Sequence, residues 1–278
     1  FLSSLTFKYD FEYDDDTVYF ANTIPFLYTE MVKELNDIEK NESKAEIFYR
    51  KSLSTTLAGN NLELLTISSN LCHPNNTKEL YQSKPIIVLM ARVHPGETVS
   101  SWIMKGALDF LCGDSDEANL LRSSFIFKII PMMNPDGVIG GNYRTSLAGC
   151  DLNRRWINPN EVLHPEVYFA KQMILKLSQN RNIEMICDFH GHSGATNVFM
   201  YGNEIKDNPA ETRVFPMLIS KMSNFFNFQQ CSFKMSKGKY GTARINLFHE
   251  LGISNIFTIE ASFWGVSRDV IKILNFSY

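Results

Sequence analysis

Four side chains in this sequence have the types and spacing for metal-assisted hydrolysis. His94 and Glu97 stand three apart, with Pro95 and Gly96 between them. Pro and Gly favour a turn, and a turn there lets an imidazole nitrogen and a carboxylate oxygen converge on one ion. Both are ordinary zinc ligands, and a catalytic zinc keeps about three protein ligands plus a water. The third ligand must come from a distant stretch, and His190 in DFHGHS is the candidate. His192 is a rival, because residues two apart on an extended chain share a face. Glu260 closes the apolar run NIFTIE. A carboxylate is costly to bury without a partner, so that position calls for a special role.

The elements around these residues explain how they could meet. PIIVLMARV at 85–93 is a near-continuous apolar run, as in a parallel strand covered on both faces. Further strands are expected at 61–68, 125–132, 183–189 and 255–260, and helices at 27–41, 98–112, 161–179, 210–228 and 242–251, the last closed by Gly252. The alternation of strand and helix predicts an α/β fold with a mixed, mostly parallel sheet. His94, Asn134, His190 and Glu260 each fall at the carboxyl end of a predicted strand. In open α/β sheets that edge is where ligands bind. NPDG at 134–137 reads as a turn, with Asp136 and Gly137 architectural. Residues 6–20 alternate apolar and polar around an acidic turn, which predicts a β-hairpin.

Composition narrows the class. The chain has 278 residues, 44% of them hydrophobic and 21% charged, enough for a core that needs no disulfide staples. No run of about 18 apolar residues predicts a membrane-spanning helix. A net charge of −3 argues against broad nucleic-acid binding, so no nucleic-acid or membrane partner is expected. The five cysteines, Cys72, Cys112, Cys150, Cys187 and Cys231, are odd in number and form no CxxC pair, which fits a reducing, cytoplasmic compartment.

Five motifs occur in one order: HPGE at 94–97, NPDG at 134–137, DLNRRW at 151–156, DFHGHS at 188–193 and FTIEAS at 257–262. Together they resemble the M14 zinc metallocarboxypeptidases. The longer strings GNYRTSLAGCDLNRRW and HGHSGATNVFMYG are similar to the cytosolic carboxypeptidase subfamily, the tubulin-processing deglutamylases. The resemblance spans roughly residues 60–265. It implies an α/β/α sandwich around a mixed eight-stranded sheet, preceded by a β-sandwich domain whose last piece would be residues 1–26. Residues 27–278 would form the catalytic domain, cut short at its C-terminus relative to the family.

The resemblance also implies roles. His94, Glu97 and His190 would hold one Zn2+, with Asp151 orienting His94. Glu260 would be the general base, and Arg144 would polarise the scissile carbonyl. Asn153 and Arg154 would grip the terminal carboxylate of the substrate. Arg244, in the string GTAR, would read an acidic terminal side chain, and Lys237 and Lys239 would add to an acidic-tail funnel. Tyr240, twenty residues before Glu260, is a candidate for transition-state contact. The expected partners are peptide or protein C-terminal tails, polyglutamylated tubulin among them. Two other readings stay open: a small-molecule N-acyl amino acid deacylase, and an inactive module that binds acidic tails.

Overall fold

A computed structural model describes residues 4, 6–69, 71 and 83–267. Cys72 lies outside the described residues. The described chain carries seven strands: β1 (Phe48–Thr55), β2 (Asn61–Ile67), β3 (Ile86–Ala91), β4 (Ile126–Ile130), β5 (Ile183–His192), β6 (Val198–Tyr201) and β7 (Ile256–Ser262). They form one sheet in the order β1-β2-β4-β3-β5-β7-β6. The pairs β4–β3, β3–β5 and β5–β7 are parallel, and the outer pairs are antiparallel. β2 and β6 run against the other five strands, so the sheet is mixed and mostly parallel. Seven strands, not the eight that the resemblance implies, are found among the described residues.

Side-chain alternation on these strands makes two cores. Leu65, Ile67, Leu89, Ala91 and Ile129 pack on one face, against Met31 and Leu35 of α1 (Tyr28–Lys40) and Met104, Leu108 and Leu111 of α2 (Thr98–Leu111). Leu64, Val88, Met90 and Ile130 pack on the other face. There they meet Val167, Ala170 and Ile174 of α5 (Pro165–Asn180) and Ala243 and Leu247 of α7 (Ala243–Leu251). The period of two in the strands and the roughly 3.6 spacing in the helices put these side chains at one interface. The product is the expected α/β/α sandwich. The remaining helices are α3 (Asp116–Ser124), the single turn α4 (Pro135–Ile139) and α6 (Val214–Met222).

Three expectations change. Residues 6–20 form no strand; the segment is exposed, and only ring contacts such as Phe7 to Phe20, 5.0 Å between centroids, bring its arms together. A two-stranded hairpin without a sheet or helix to cover its apolar face is marginal in water. The helix expected at 210–228 is shorter: a 3-10 turn at Glu211–Arg213 leads into α6, which stops at Met222, where Ser223 turns extended. α5 begins at Pro165, not near 161, because proline suits the first helical position and its lost N–H costs nothing there.

Candidate metal centre and cleft

The HPGE turn leaves β3 through Arg92, a non-glycine residue with φ of +60°. That conformation is sparsely populated outside glycine, and the side chain holds it in place. Arg92 Nε donates to the Pro95 carbonyl at 2.8 Å, and Nη1 donates to the Phe26 carbonyl and to Ser101 Oγ. Sequence reasoning missed this brace; an arginine two residues before HPGE was its only trace. Gly96 donates its N–H to the Tyr143 carbonyl at 2.7 Å, and a Cβ at Gly96 would stand 2.7 Å from that oxygen. No other residue fits without moving the Tyr143 backbone. Asp136 behaves as expected of an architectural residue, accepting from Thr56 Oγ1, the Ala58 N–H and Asn60 Nδ2.

From this turn, His94 and Glu97 meet His190, which β5 delivers beside them. Ligand atoms of the three lie within 4.8 Å of one another, and all three residues are buried. His94 Nδ1 is 2.7 Å from Glu97 Oε1, and His190 Nδ1 is 3.0 Å from Glu97 Oε2. The other ring nitrogens are taken by acids: His94 Nε2 lies 3.1 Å from Asp151 Oδ1, and His190 Nε2 lies 2.7 Å from Asp188 Oδ2. A carboxylate on the far nitrogen fixes a ligating imidazole and raises its basicity. Two imidazoles so held, with one carboxylate between them, fit Zn2+. Asp188 was missed in the sequence, although an Asp two residues before a His on a strand must share its face. His192 is no ligand here. Its Nδ1 accepts from the N–H groups of Gly194 and Ala195 and so closes a turn.

Electrostatics follow this geometry. Burial alone would raise Glu97, but the charge and hydrogen bond of His190, with His94 beside it, hold it well below the carboxylate range. Burial opposes a charged His190, yet Asp188 and Glu97 outweigh it and move the imidazole well above its usual value. Asp151 is likewise pushed up by burial and pulled down further by His94, Arg144 and Arg154. Glu260 differs. It stands opposite His190 in the β5–β7 register, its Oε2 has no partner, and burial raises it to about 7.

A cleft of about 540 Å3 joins these groups to Arg144, Asn153, Arg154 and Arg244. Arg144 is half-exposed and pairs through Nη2 and Nε with Asp151 Oδ2, both at 2.9 Å. Arg154 Nη1 donates to the Asn153 carbonyl. Asn153 is more engaged than a free carboxylate clamp would be. Its Oδ1 accepts from the Ala243 N–H at the start of α7, and its Nδ2 faces His190 Nε2 at 3.3 Å. Arg244 is buried, not exposed. Its Nη1 donates to the Gly202 carbonyl and to Asn203 Oδ1. No carboxylate among the described residues pairs with it, and burial lowers it to about 10. Lys239 lines the cleft and Lys237 does not. Tyr240 does not line it either: the chain turns at Gly241, and the Tyr240 ring packs on His249, 5.6 Å between centroids. The tyrosines on the cleft are Tyr143 and Tyr201.

A mixed α/β sheet that presents a His–Glu–His cluster and an unpartnered acid at the carboxyl ends of its parallel strands defines a mononuclear metal site of the hydrolase type. The chain belongs to the zinc carboxypeptidase family, whose sequence profile matches residues 35–259. It is 43% identical over 268 residues to cytosolic carboxypeptidase 2 of Xenopus tropicalis, covering 95% of this chain and 27% of that protein. Against cytosolic carboxypeptidase 3 of Mus musculus it is 42% identical, with 94% and 26% covered. The chain thus spans about a quarter of the length of these relatives. Among solved structures, a metallo-carboxypeptidase from Burkholderia cenocepacia superposes with a TM-score of 0.73 at 25% identity, covering 86% of this chain and 61% of that one. Carboxypeptidase A of Helicoverpa armigera, at 15% identity and a TM-score of 0.64 over 85% and 64%, shares the fold.

Proposed function

We propose that this chain hydrolyses the C-terminal peptide bond of acidic protein tails, removing glutamates one at a time, with polyglutamylated tubulin as a substrate of the right chemistry. One observation carries the substrate choice: Arg244, a buried cation with no carboxylate partner among the described residues, lines the same cleft as the metal cluster and Glu260. A buried cation left without its counter-charge favours an anionic side chain beside it. The names of the cytosolic relatives and four free cysteines among the described residues support a cytosolic setting. Among the described residues no helix is long and apolar enough to cross a membrane.

His94, Glu97 and His190 would hold the ion. Bound Zn2+ supplies a water of lowered pKa and a Lewis acid for the carbonyl. The remaining work falls to the chain. Glu260 Oε2, free of hydrogen bonds, takes a proton from the attacking water and returns it to the leaving amine. Arg144 donates to the oxyanion that develops on the scissile carbonyl, held in position by Asp151. Arg154 binds the terminal carboxylate through its planar fork, and Asn153, whose Oδ1 accepts from the Ala243 N–H, braces the start of α7 beside it.

The test is incubation of the zinc-loaded chain with two peptides, one ending in several glutamates and one in several leucines. Mass spectrometry should show stepwise loss from the first at a rate at least about a hundredfold higher. Shortening of the leucine tail alone would refute the acidic preference while leaving the peptidase intact.

A further inference from the structure

One guanidinium leaves a buried carboxylate incompletely satisfied. An ionised carboxylate offers about four lone-pair sites, and burying them without donors is costly. Arg244 Nη1 is already engaged with the Gly202 carbonyl and with Asn203 Oδ1, the latter at 2.8 Å. Its Nε and Nη2 have no partner among the described residues. That edge of the fork offers a carboxylate two parallel N–H groups. The remaining lone pairs need a donor from another residue.

Tyr201, the last residue of β6, is placed to supply it. It stands opposite Thr258 of β7 in the antiparallel register. Directly opposed residues send their side chains to one sheet face, with Cβ atoms about 4.5–5.5 Å apart. Thr258 shares that face with Glu260, two residues on. Tyr201, Thr258, Glu260 and Arg244 all line the one cleft. The phenol oxygen makes no hydrogen bond among the described residues. Burial raises the phenol, the Glu260 charge raises it further, and Arg244 opposes both. A hydroxyl so placed keeps its proton at neutral pH and can donate it. The ring is also held. It meets Phe199 edge to face, 5.6 Å between centroids. The backbone beside it is pinned by the Gly202 N–H, which donates to the Ser232 carbonyl at 3.0 Å. The same Gly202 supplies the carbonyl that anchors Arg244, so one strand end positions both groups. A donor fixed before its ligand arrives loses little freedom on binding.

We propose that Tyr201 is a specificity-determining residue, its Oη donating to the side-chain carboxylate of a C-terminal glutamate while Arg244 holds the same carboxylate through Nε and Nη2. This rests on the acidic-tail reading of the cleft. The zinc-equilibrated chain is titrated calorimetrically with L-glutamate and with L-leucine, single residues that have no peptide bond to cut. The wild type should bind L-glutamate at least about tenfold tighter than L-leucine. Tyr201→Phe keeps the ring on Phe199 and removes only the hydroxyl. It should weaken L-glutamate about tenfold or more, as for a lost hydrogen bond to a charged group, and L-leucine less than about twofold. In turnover the variant should raise KM for glutamate-ended peptides and leave kcat within about twofold, the pattern of a contact made equally in ground and transition states. A wild type that prefers glutamate, with the preference intact in Tyr201→Phe, overturns the inference alone. A wild type without that preference overturns it together with the acidic-tail reading. Equal weakening of both amino acids would make Tyr201 structural, and a fall in kcat for glutamate-ended and leucine-ended peptides alike would place it in the chemistry; either result overturns the inference and leaves the acidic-tail reading standing.

Discussion

Glu260 is a carboxylate whose burial has raised it to about 7 and left Oε2 without a partner. A base must be ionised to accept a proton, so activity falls as pH drops through its pKa. Bound Zn2+ favours the carboxylate, which places this acid limb at or below about 7. Glu260→Gln should lower kcat by about 10²–10⁴-fold, leave tail-peptide binding intact by calorimetry, and remove the limb from the rate profile. An unchanged limb in that variant would assign it to another group. Arg244 makes the matching claim for specificity. Arg244→Gln should cost about a hundredfold or more in kcat/KM for glutamate-ended peptides, because the substrate carboxylate is then buried without its partner. It should cost little for leucine-ended ones, and an equal loss for both would make Arg244 structural. His190, as a ligand, would set the metal's pH dependence: Asp188 and Glu97 hold its proton well above the usual imidazole range. That proton must leave when a metal arrives. Zinc affinity, titrated against a competing chelator, should weaken as pH falls, and more steeply than in Asp188→Asn.

Elements decide whether these side chains meet, and the HPGE turn is the tightest of them. A Cβ at Gly96 would stand 2.5 Å from the Tyr143 ring and 2.7 Å from its carbonyl oxygen. Gly96→Ala should destabilise the chain by about 1–3 kcal/mol in urea unfolding and weaken zinc binding, since His94 and Glu97 flank the displaced backbone. Unchanged stability would mean that the Tyr143 loop yields freely. The same scale explains what the sequence could and could not disclose. The central strands were legible because PIIVLMARV and NIFTIE are covered on both faces and are mostly apolar, the first nearly without a break. β1, FYRKSLST, is an edge strand with only Phe48 buried, so it carries no alternation to recognise. β6 has four residues, and α3 is largely exposed, with Ala118 and Arg122 its buried positions. The candidate metal ligands stood out through HPGE and the strand-end histidine. Asp188 and Arg92 did not, because their work appears only once β5 and the turn have shape. Tyr240 was placed by distance along the chain, and the Gly241 turn sends its ring to His249 instead.

At the scale of the whole molecule, the sheet gathers a His–Glu–His cluster, an acid and a buried cation at one edge, from four separate stretches of the chain, so ion binding and folding would be coupled. Zinc at a thousandfold its Kd should add about 4 kcal/mol of stability, seen as a melting temperature that falls when a chelator is added. The account rests most directly on His94, Glu97 and His190 holding a single ion, and native mass spectrometry of the zinc-equilibrated chain reads that stoichiometry. It should show one Zn2+ per chain, lost in Glu97→Gln and in His190→Ala while both variants keep the far-ultraviolet circular dichroism of the folded protein. A folded wild-type chain that takes up no zinc, or variants that keep it, would contradict the account.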